Sequence, residues 1–496
     1  MDLILHLEEG TGAPLHRQVY AGIRRAILEG RIAPGQRVPS SRALAERLGI
    51  SRATVSLAYE QLASEGYLEA LQGSGTCVGR QLPDDLLRPT GERAATPKRI
   101  ASGPARLSPG GTALLRMDFP RLAVEELPYD FRHGRPALDA FPFDIWNRLL
   151  ARHGRVGSRA MRDYERDPRG HASLRAAIVD HLRQARAVQC GADQVIITGG
   201  AQQALDLCTR VLAAPGETAA LEDPGYPGAS AAFLGYGLRL RPLPATREGI
   251  SFEPLRKGRG VRLVYVTPSH QYPTGSVMSL PKRLELLELS RKGGWRILED
   301  DYDSEFRYAG RPLPSLQGLD AHGGVLYVGT FSKSMFPALR VGYLVAPPDL
   351  VEVLARARWA ADRQTPSLEQ YALDDFIREG HLERHVRRMR VLYGHRREAL
   401  LDALRMQLGD RMSLAGESAG LHMLVQLDSG MTDDELIRRA SARGVGLEDI
   451  RGCRVRSQGS GEFLLRFGCL EESRIREGVA RLAQAMKTGR ARKDTP

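Results

Sequence analysis

Cysteine is scarce in this chain and poorly arranged for metal or disulfide chemistry. Cys77, Cys190, Cys208, Cys453 and Cys469 are odd in number, scattered, and form no Cys-x-x-Cys pair. Neither a disulfide framework nor a zinc site is therefore expected, and no metal is assigned. No run of about twenty apolar residues is long enough to span a bilayer. The N-terminus MDLILHLEEGTG also lacks a basic stretch followed by a long apolar one. Together these absences point to a reduced, cytoplasmic protein without a membrane partner. No internal repeat and no long low-complexity tract appears.

Negative charge is in deficit: 59 Asp and Glu stand against 71 Lys and Arg, a formal net charge of +12. Such an excess suits a nucleic-acid partner, because cations that neutralise phosphates release counterions. A basic soluble enzyme would show the same balance. With 496 residues and 42% hydrophobic content, the chain can bury a sizeable core and divides into two or more domains.

Residues 1–80 form one pattern. Leu15, Val19, Ile23 and Ile27 recur every four residues, giving a first helix one apolar face that stops near Gly30. Ser40 or Ser41 can cap a short helix carrying Leu44 and Leu48, Gly49 opens a turn, and Ser51 can cap another helix. On that last helix Val55, Ala58, Tyr59 and Leu62 point inward, leaving Arg52, Thr54 and Ser56 outward near its start. Those positions of a recognition helix meet base edges. YLEAL, QGSG and TCVG then supply a two-stranded wing with a glycine tip.

The string PGxxVPSSRxLAxxLGISRxTVxxAYxxLxxEGYL followed by this wing resembles the GntR family of regulators. The resemblance implies an α/β winged helix-turn-helix that binds a double-stranded DNA operator. It places Arg42, Arg52, Thr54, Ser56 and Gly73 at the DNA, with arginine suited to two-pronged guanine contact and glycine to backbone contact.

Residues 81–127 are rich in Pro, Gly, Ala and Arg with little periodicity, and are expected to be a linker. From 128 to 488 short apolar runs alternate with helical windows: QVIIT, AALED, RLVYVTP, WRILEDD and VLYVGT. Buried parallel strands with helices on both faces follow from that alternation. Helical windows from Pro366 onward precede a final αβ segment, suggesting a smaller C-terminal subdomain, and residues 489–496 form a tail.

Within this second module GTFSKSMFPALRVGY sets Lys333 just beyond an apolar strand, with Arg340 seven residues later. A lysine so placed can bond covalently to an aldehyde once its neighbours help deprotonate it. LEDDYDSEFRY puts carboxylates at the end of another strand, where a buried aspartate would keep a cofactor's pyridine nitrogen protonated. TGGAQQALDL is a strand, a glycine turn and a helix start, an arrangement whose N–H groups can hold a phosphate.

SKxxxPxLRxGY resembles the fold-type I aminotransferases, and the EDDYDSEFRY form resembles the MocR/PdxR-type subfamily of GntR regulators. The resemblance implies an α/β aminotransferase-like fold with a small C-terminal subdomain, holding pyridoxal 5′-phosphate on Lys333. By the same resemblance Arg340 binds the phosphate, while Thr330, Ser332, Ala201 and Gln202 lie against the cofactor. Tyr226, in DPGYPG, stacks on its ring, and Tyr302 lies near its phenolic oxygen. Asp300 pairs with the pyridine nitrogen. The tyrosine here follows Asp300 by two residues where many aminotransferases have three, so Asp301 is an alternative partner. VTPSHQYPTG stands where those enzymes carry NPxNPTG, and His270 is assigned to the departed asparagine's neighbourhood. Arg466, in EFLLRFGCL, falls where the carboxylate of an amino compound is gripped, a task suited to its planar fork. A regulator sensing an amino compound or a vitamin B6 vitamer is implied, typically a head-to-tail homodimer. The alternative is an active aminotransferase with an accessory DNA-binding domain.

Overall fold

The computed structural model describes residue 5 and residues 13–71, 75–84, 106–117, 126–132, 134–156, 159–246, 249–257, 260–308, 314–416, 419–455 and 459–487. The chain divides into two compact units, Met1–Arg106 and Leu107–Pro496.

The first unit is built on α1 (Leu15–Leu28), which buries Val19, Ile23, Ala26 and Ile27 along one face. Ser40 caps α2 (Ser41–Leu48), its hydroxyl accepting from Ala43 N at 3.2 Å. Gly49 ends α2 at φ 66°, a left-handed conformation that costs a residue without Cβ little. Ser51 caps α3 (Arg52–Ser64) by accepting from Thr54 N at 3.2 Å. Val55, Ala58, Tyr59 and Leu62 of α3 are buried together with α1, as their spacing requires. Strands β1 (Leu68–Leu71) and β2 (Gly75–Val78) pair antiparallel, with Leu68 opposite Val78. The wing tip, including Gly73, lies outside the described residues.

In the second unit β3 (Tyr129–Asp130) precedes a sheet made of β4 (Val195–Thr198), β5 (Thr218–Asp223), β6 (Arg239–Thr246), β7 (Gly249–Ile250), β8 (Val261–Val266), β9 (Arg296–Asp301), β10 (Val325–Thr330) and β11 (Gly342–Val345). Their spatial order is β4-β11-β10-β9-β8-β5-β6-β7. The strands expected from apolar runs are all present, but the sheet is mixed rather than wholly parallel: β11 lies antiparallel between β4 and β10. Its four residues, GYLV, are too short to stand out as a run. β6 also lacked a signal, since Pro242 and Pro244 interrupt it.

A smaller sheet holds β12 (Met412–Ala415), β13 (His422–Leu427) and β15 (Glu462–Arg466), while β14 (Val445–Gly446) pairs parallel with β3. The residues just before the second module's first helix are thus woven into its C-terminal subdomain. Inside the stretch expected to be linker, Pro109–Leu115 forms a helix capped by Ser108. It packs against the helix Pro227–Tyr236 so closely that a Cβ on Gly110 would come 2.0 Å from Gly235 O. Among the described residues no helix is long and apolar enough to cross a membrane.

Leu62 is fully buried in the first unit's core. Leu62→Ala should destabilise that unit by about 2–5 kcal/mol, seen as an earlier first transition in urea unfolding of the whole chain.

Candidate functional site

The parallel strands of the large sheet deliver their C-terminal ends to one edge, the place where open α/β sheets bind ligands. Thr198, Asp223, Val266, Asp301 and Thr330 end β4, β5, β8, β9 and β10 there. The loops beyond them enclose a cavity of about 650 Å³. Ala201, Gln202, Tyr226, Asp300, Tyr302, Thr330, Ser332, Lys333, Arg340 and Arg466 all line it. Residues from separate stretches of sequence are thereby brought together.

Lys333 donates from Nζ to Gly134 O at 2.7 Å. Burial lowers its pKa to about 8, helped by the Arg466 charge and opposed by Asp303 and Asp300. A substantial fraction of the amine is consequently neutral near physiological pH and able to attack an aldehyde.

On β9 successive side chains alternate faces, which separates the two candidate aspartates. Asp300 lines the cavity; its Oδ2 accepts from Tyr265 at 2.8 Å, and its Oδ1 is buried without a partner. Burial raises its pKa to about 7. Asp301 instead accepts from Arg186 Nε at 2.7 Å and from the Tyr327 hydroxyl at 2.5 Å on the opposite side. Asp301 Oδ1 is likewise buried without a partner, but Asp301 does not line the cavity, so the open oxygen of Asp300 is the one that fits a protonated ring nitrogen.

At one end of the cavity the helix Ala201–Leu212 begins at Gly200, with no side-chain cap. Gly200 has φ 106°, and a Cβ there would meet Arg340 Nη2 at 3.0 Å. Arg340 donates to Gly199 O at 2.7 Å, and Thr330 donates to the Ser332 hydroxyl at 3.1 Å. A helix start beside a guanidinium and two hydroxyls suits a phosphate. Tyr226 stands before the helix Pro227–Tyr236; a Cβ on Gly228 would come 2.4 Å from its ring, so glycine there leaves the ring its place. Burial pushes the Tyr226 phenol up to about 12, keeping it neutral. These groups fit pyridoxal phosphate: lysine for its aldehyde, aspartate for its ring nitrogen, tyrosine for its face and a polar end for its phosphate.

His270 is not part of the cavity lining. Its ring is buried behind the wall, with Nδ1 at 3.0 Å from both Asp303 oxygens. Tyr302, which does line the cavity, donates to His270 O at 2.8 Å. His270, Asp303 and His422 hold their ligand-type atoms within 4.8 Å of one another, an arrangement already satisfied in part by the His270–Asp303 contact.

Sequence reasoning missed Tyr272, His422, Arg132 and Glu448, which line the cavity as well. Counting back one residue from Pro273-Thr274-Gly275 would have found Tyr272. Nothing local marks Glu448, which looks like a solvated acid in GLEDI. Arg466 is already engaged: Nη1 donates to Arg132 O at 2.6 Å and to the Glu448 carboxylate, and Nη2 donates to the Tyr272 hydroxyl at 2.9 Å. In the other unit Arg42 and Arg52 are exposed, while Thr54 and Ser56 are half-buried. The Thr54 hydroxyl is shared with Ser51 Oγ at 2.8 Å.

Comparison with known proteins matches residues 155–482 to the family described as "Aminotransferase class I and II" and residues 15–78 to "Bacterial regulatory proteins, gntR family". The chain is 37% identical over 483 residues to the "Probable rhizopine catabolism regulatory protein MocR" of Rhizobium meliloti, covering 97% of this chain and 96% of that one. It is 31% identical over 494 residues to the "HTH-type pyridoxine biosynthesis transcriptional regulator PdxR" of Corynebacterium glutamicum, covering 99% of each. Among solved structures it is similar to the α-aminoadipate aminotransferase LysN of Thermus thermophilus, complexed with N-(5′-phosphopyridoxyl)-L-leucine: TM-score 0.70, 31% identity, 76% of this chain and 96% of that one.

Two outcomes check the site. Capture of pyridoxal phosphate by the protein should rise with pH through about 8, not through the ordinary lysine value of 10.5, because only the neutral amine reacts; stopped-flow absorbance measures this. Asp300→Asn should weaken cofactor binding in equilibrium dialysis with little change in stability. Asp301→Asn, which weakens the partner of buried Arg186, should lower stability by up to about 3–5 kcal/mol in denaturant unfolding.

Proposed function

The chain belongs to the MocR/PdxR-type transcriptional regulators, in which a GntR helix-turn-helix is joined to an aminotransferase-like domain, and from that premise we propose that it senses an amino compound or a vitamin B6 vitamer through pyridoxal phosphate held on Lys333. The observation that carries this reading is the pairing, across one cavity, of a lysine with depressed pKa and an Asp300 oxygen that is buried without a partner. When bound, the cofactor supplies an aldehyde for amines and a ring that draws in electrons.

The chain's own residues do the rest. Asp300 holds a proton at the ring nitrogen, the Gly200 helix start with Arg340 and Ser332 fixes the phosphate, and Tyr226 covers the ring. Lys333 is half-buried on the cavity wall, and the desolvation this brings favours its neutral amine. An amine entering the cavity reaches the residues beyond Lys333, including Arg466, Tyr272 and Glu448. Its binding alters operator affinity only if it favours one arrangement of the chain over another.

Arg42, Arg52, Thr54, Ser56 and Gly73 are the proposed operator contacts. A head-to-tail homodimer would carry two recognition helices and read repeated half-sites. The names of the MocR and PdxR relatives suggest target genes of amino-compound or vitamin B6 metabolism, in the cytoplasm. The second reading, an active aminotransferase, is favoured by the same cavity, since Lys333, Asp300 and Arg466 would also serve turnover. Sustained conversion of an amino donor to its keto product supports the enzyme; ligand-dependent operator binding without turnover supports the sensor.

Lys333→Ala should lose the visible absorbance of covalently held pyridoxal phosphate while keeping the fold, measured by absorbance and circular dichroism. Arg52→Ala should cost about 1–3 kcal/mol on the operator if Arg52 reads a base. Fluorescence anisotropy on operator and unrelated DNA checks this, an equal loss on both making Arg52 a phosphate contact instead.

A further inference from the structure

The end of the cavity that should receive a ligand's carboxylate already holds one belonging to the chain. Arg466 Nη1 gives its hydrogens to Arg132 O and to Glu448, and Nη2 gives one to the Tyr272 hydroxyl. A guanidinium grips a carboxylate best with two parallel N–H groups, and the Nη1 half of that grip is taken. Nε lies beside Gly134, where a Cβ would come 3.4 Å from Nε and 3.2 Å from Lys333 Nζ. The neighbouring cation offers no replacement, because Arg132 is paired with Asp130, its Nε donating at 2.8 Å.

Glu448 therefore compensates the charge of Arg466 and remains half-exposed on the cavity wall. Only its Oε2 is engaged by Arg466, and no described group bonds Oε1. A ligand carboxylate approaching Arg466 would meet this like charge or have to displace it. A ligand ending in a hydroxyl or an ammonium would find in Glu448 a ready acceptor.

We propose that Glu448 is a specificity residue that turns this end of the cavity from a carboxylate seat into a seat for hydrogen-bond donors, so that the effector is a primary amine whose distal end is not anionic. The proposal rests on the reading that amines enter this cavity with pyridoxal phosphate on Lys333. Aspartates elsewhere in the lining cannot take this role, because Asp300 is bonded by Tyr265 and would serve the ring nitrogen, and Asp303 is held by His270.

The test uses the full chain loaded with pyridoxal phosphate, titrated with three amines of equal length: 4-aminobutyrate, 4-amino-1-butanol and 1,4-diaminobutane. Binding is read by the change in visible absorbance and by calorimetry. The wild-type protein should bind the alcohol and the diamine at least about tenfold more tightly than 4-aminobutyrate. Glu448→Gln, which keeps the shape and removes the charge, should tighten 4-aminobutyrate about tenfold and weaken the diamine. A normal absorbance band with no difference among the three amines, with 4-aminobutyrate preferred, or with an order unmoved by Glu448→Gln overturns the proposal alone. Absence of a Lys333-dependent band overturns the cofactor reading and this proposal with it.

Discussion

Strand β9 carries Glu299, Asp300 and Asp301 in succession, and all three are buried. Ionised carboxylates taken out of water need partners. Because side chains alternate along a strand, the partners must come from both faces of the sheet. Glu299 accepts the backbone N–H groups of Leu316 and Gln317, and Asp301 takes Arg186 and Tyr327. Asp300 is left with Tyr265 on one oxygen and the cavity before the other. Asp301 Oδ1 is also buried without a partner, but Asp301 does not line the cavity. The rest of the site depends on the placement of Asp300, whose open oxygen lies where a cationic ring nitrogen would complete it.

The same economy of charge shapes the remaining walls. Lys333 is desolvated beside Arg466, and both effects favour its neutral form. Arg466 is in turn neutralised by Glu448, and Arg132 by Asp130. Arg340 lies against the uncapped helix start at Gly200 and, among the described residues, bonds a carbonyl there rather than a carboxylate. Positive character is thus concentrated at the Gly200 end of the cavity, while the Arg466 end is close to balanced.

Much of the architecture was legible because local chemistry and tertiary demand agree. In the first unit the four-residue spacing from Val19 to Ile27, the Ser51 cap and Gly49 each have a local cause, and each appears in the folded chain, whereas Leu15 at the start of the helix is exposed. The strands of the second unit that were legible are built around short apolar runs and are mostly buried. Those that were not, β6 and β11, are interrupted by proline or only four residues long. The helix Pro109–Leu115 was hidden for a related reason: its Gly110 serves close packing on Gly235, and a Pro-Gly-Gly string looks like linker when no partner is in view.

For the cavity, sequence alone singled out Lys333, Arg340, Tyr226 and the aspartate pair through motifs that resemble those of aminotransferases, and all but Asp301 line it. It could not choose between Asp300 and Asp301, place His270 behind the wall, or bring Glu448 and Tyr272 to Arg466. Those outcomes depend on which face of a strand meets which neighbour, and on contacts such as Arg466 with Tyr272, 194 residues apart along the chain. Spacing encodes which side chains share an element; only the packed elements decide what each side chain finally faces.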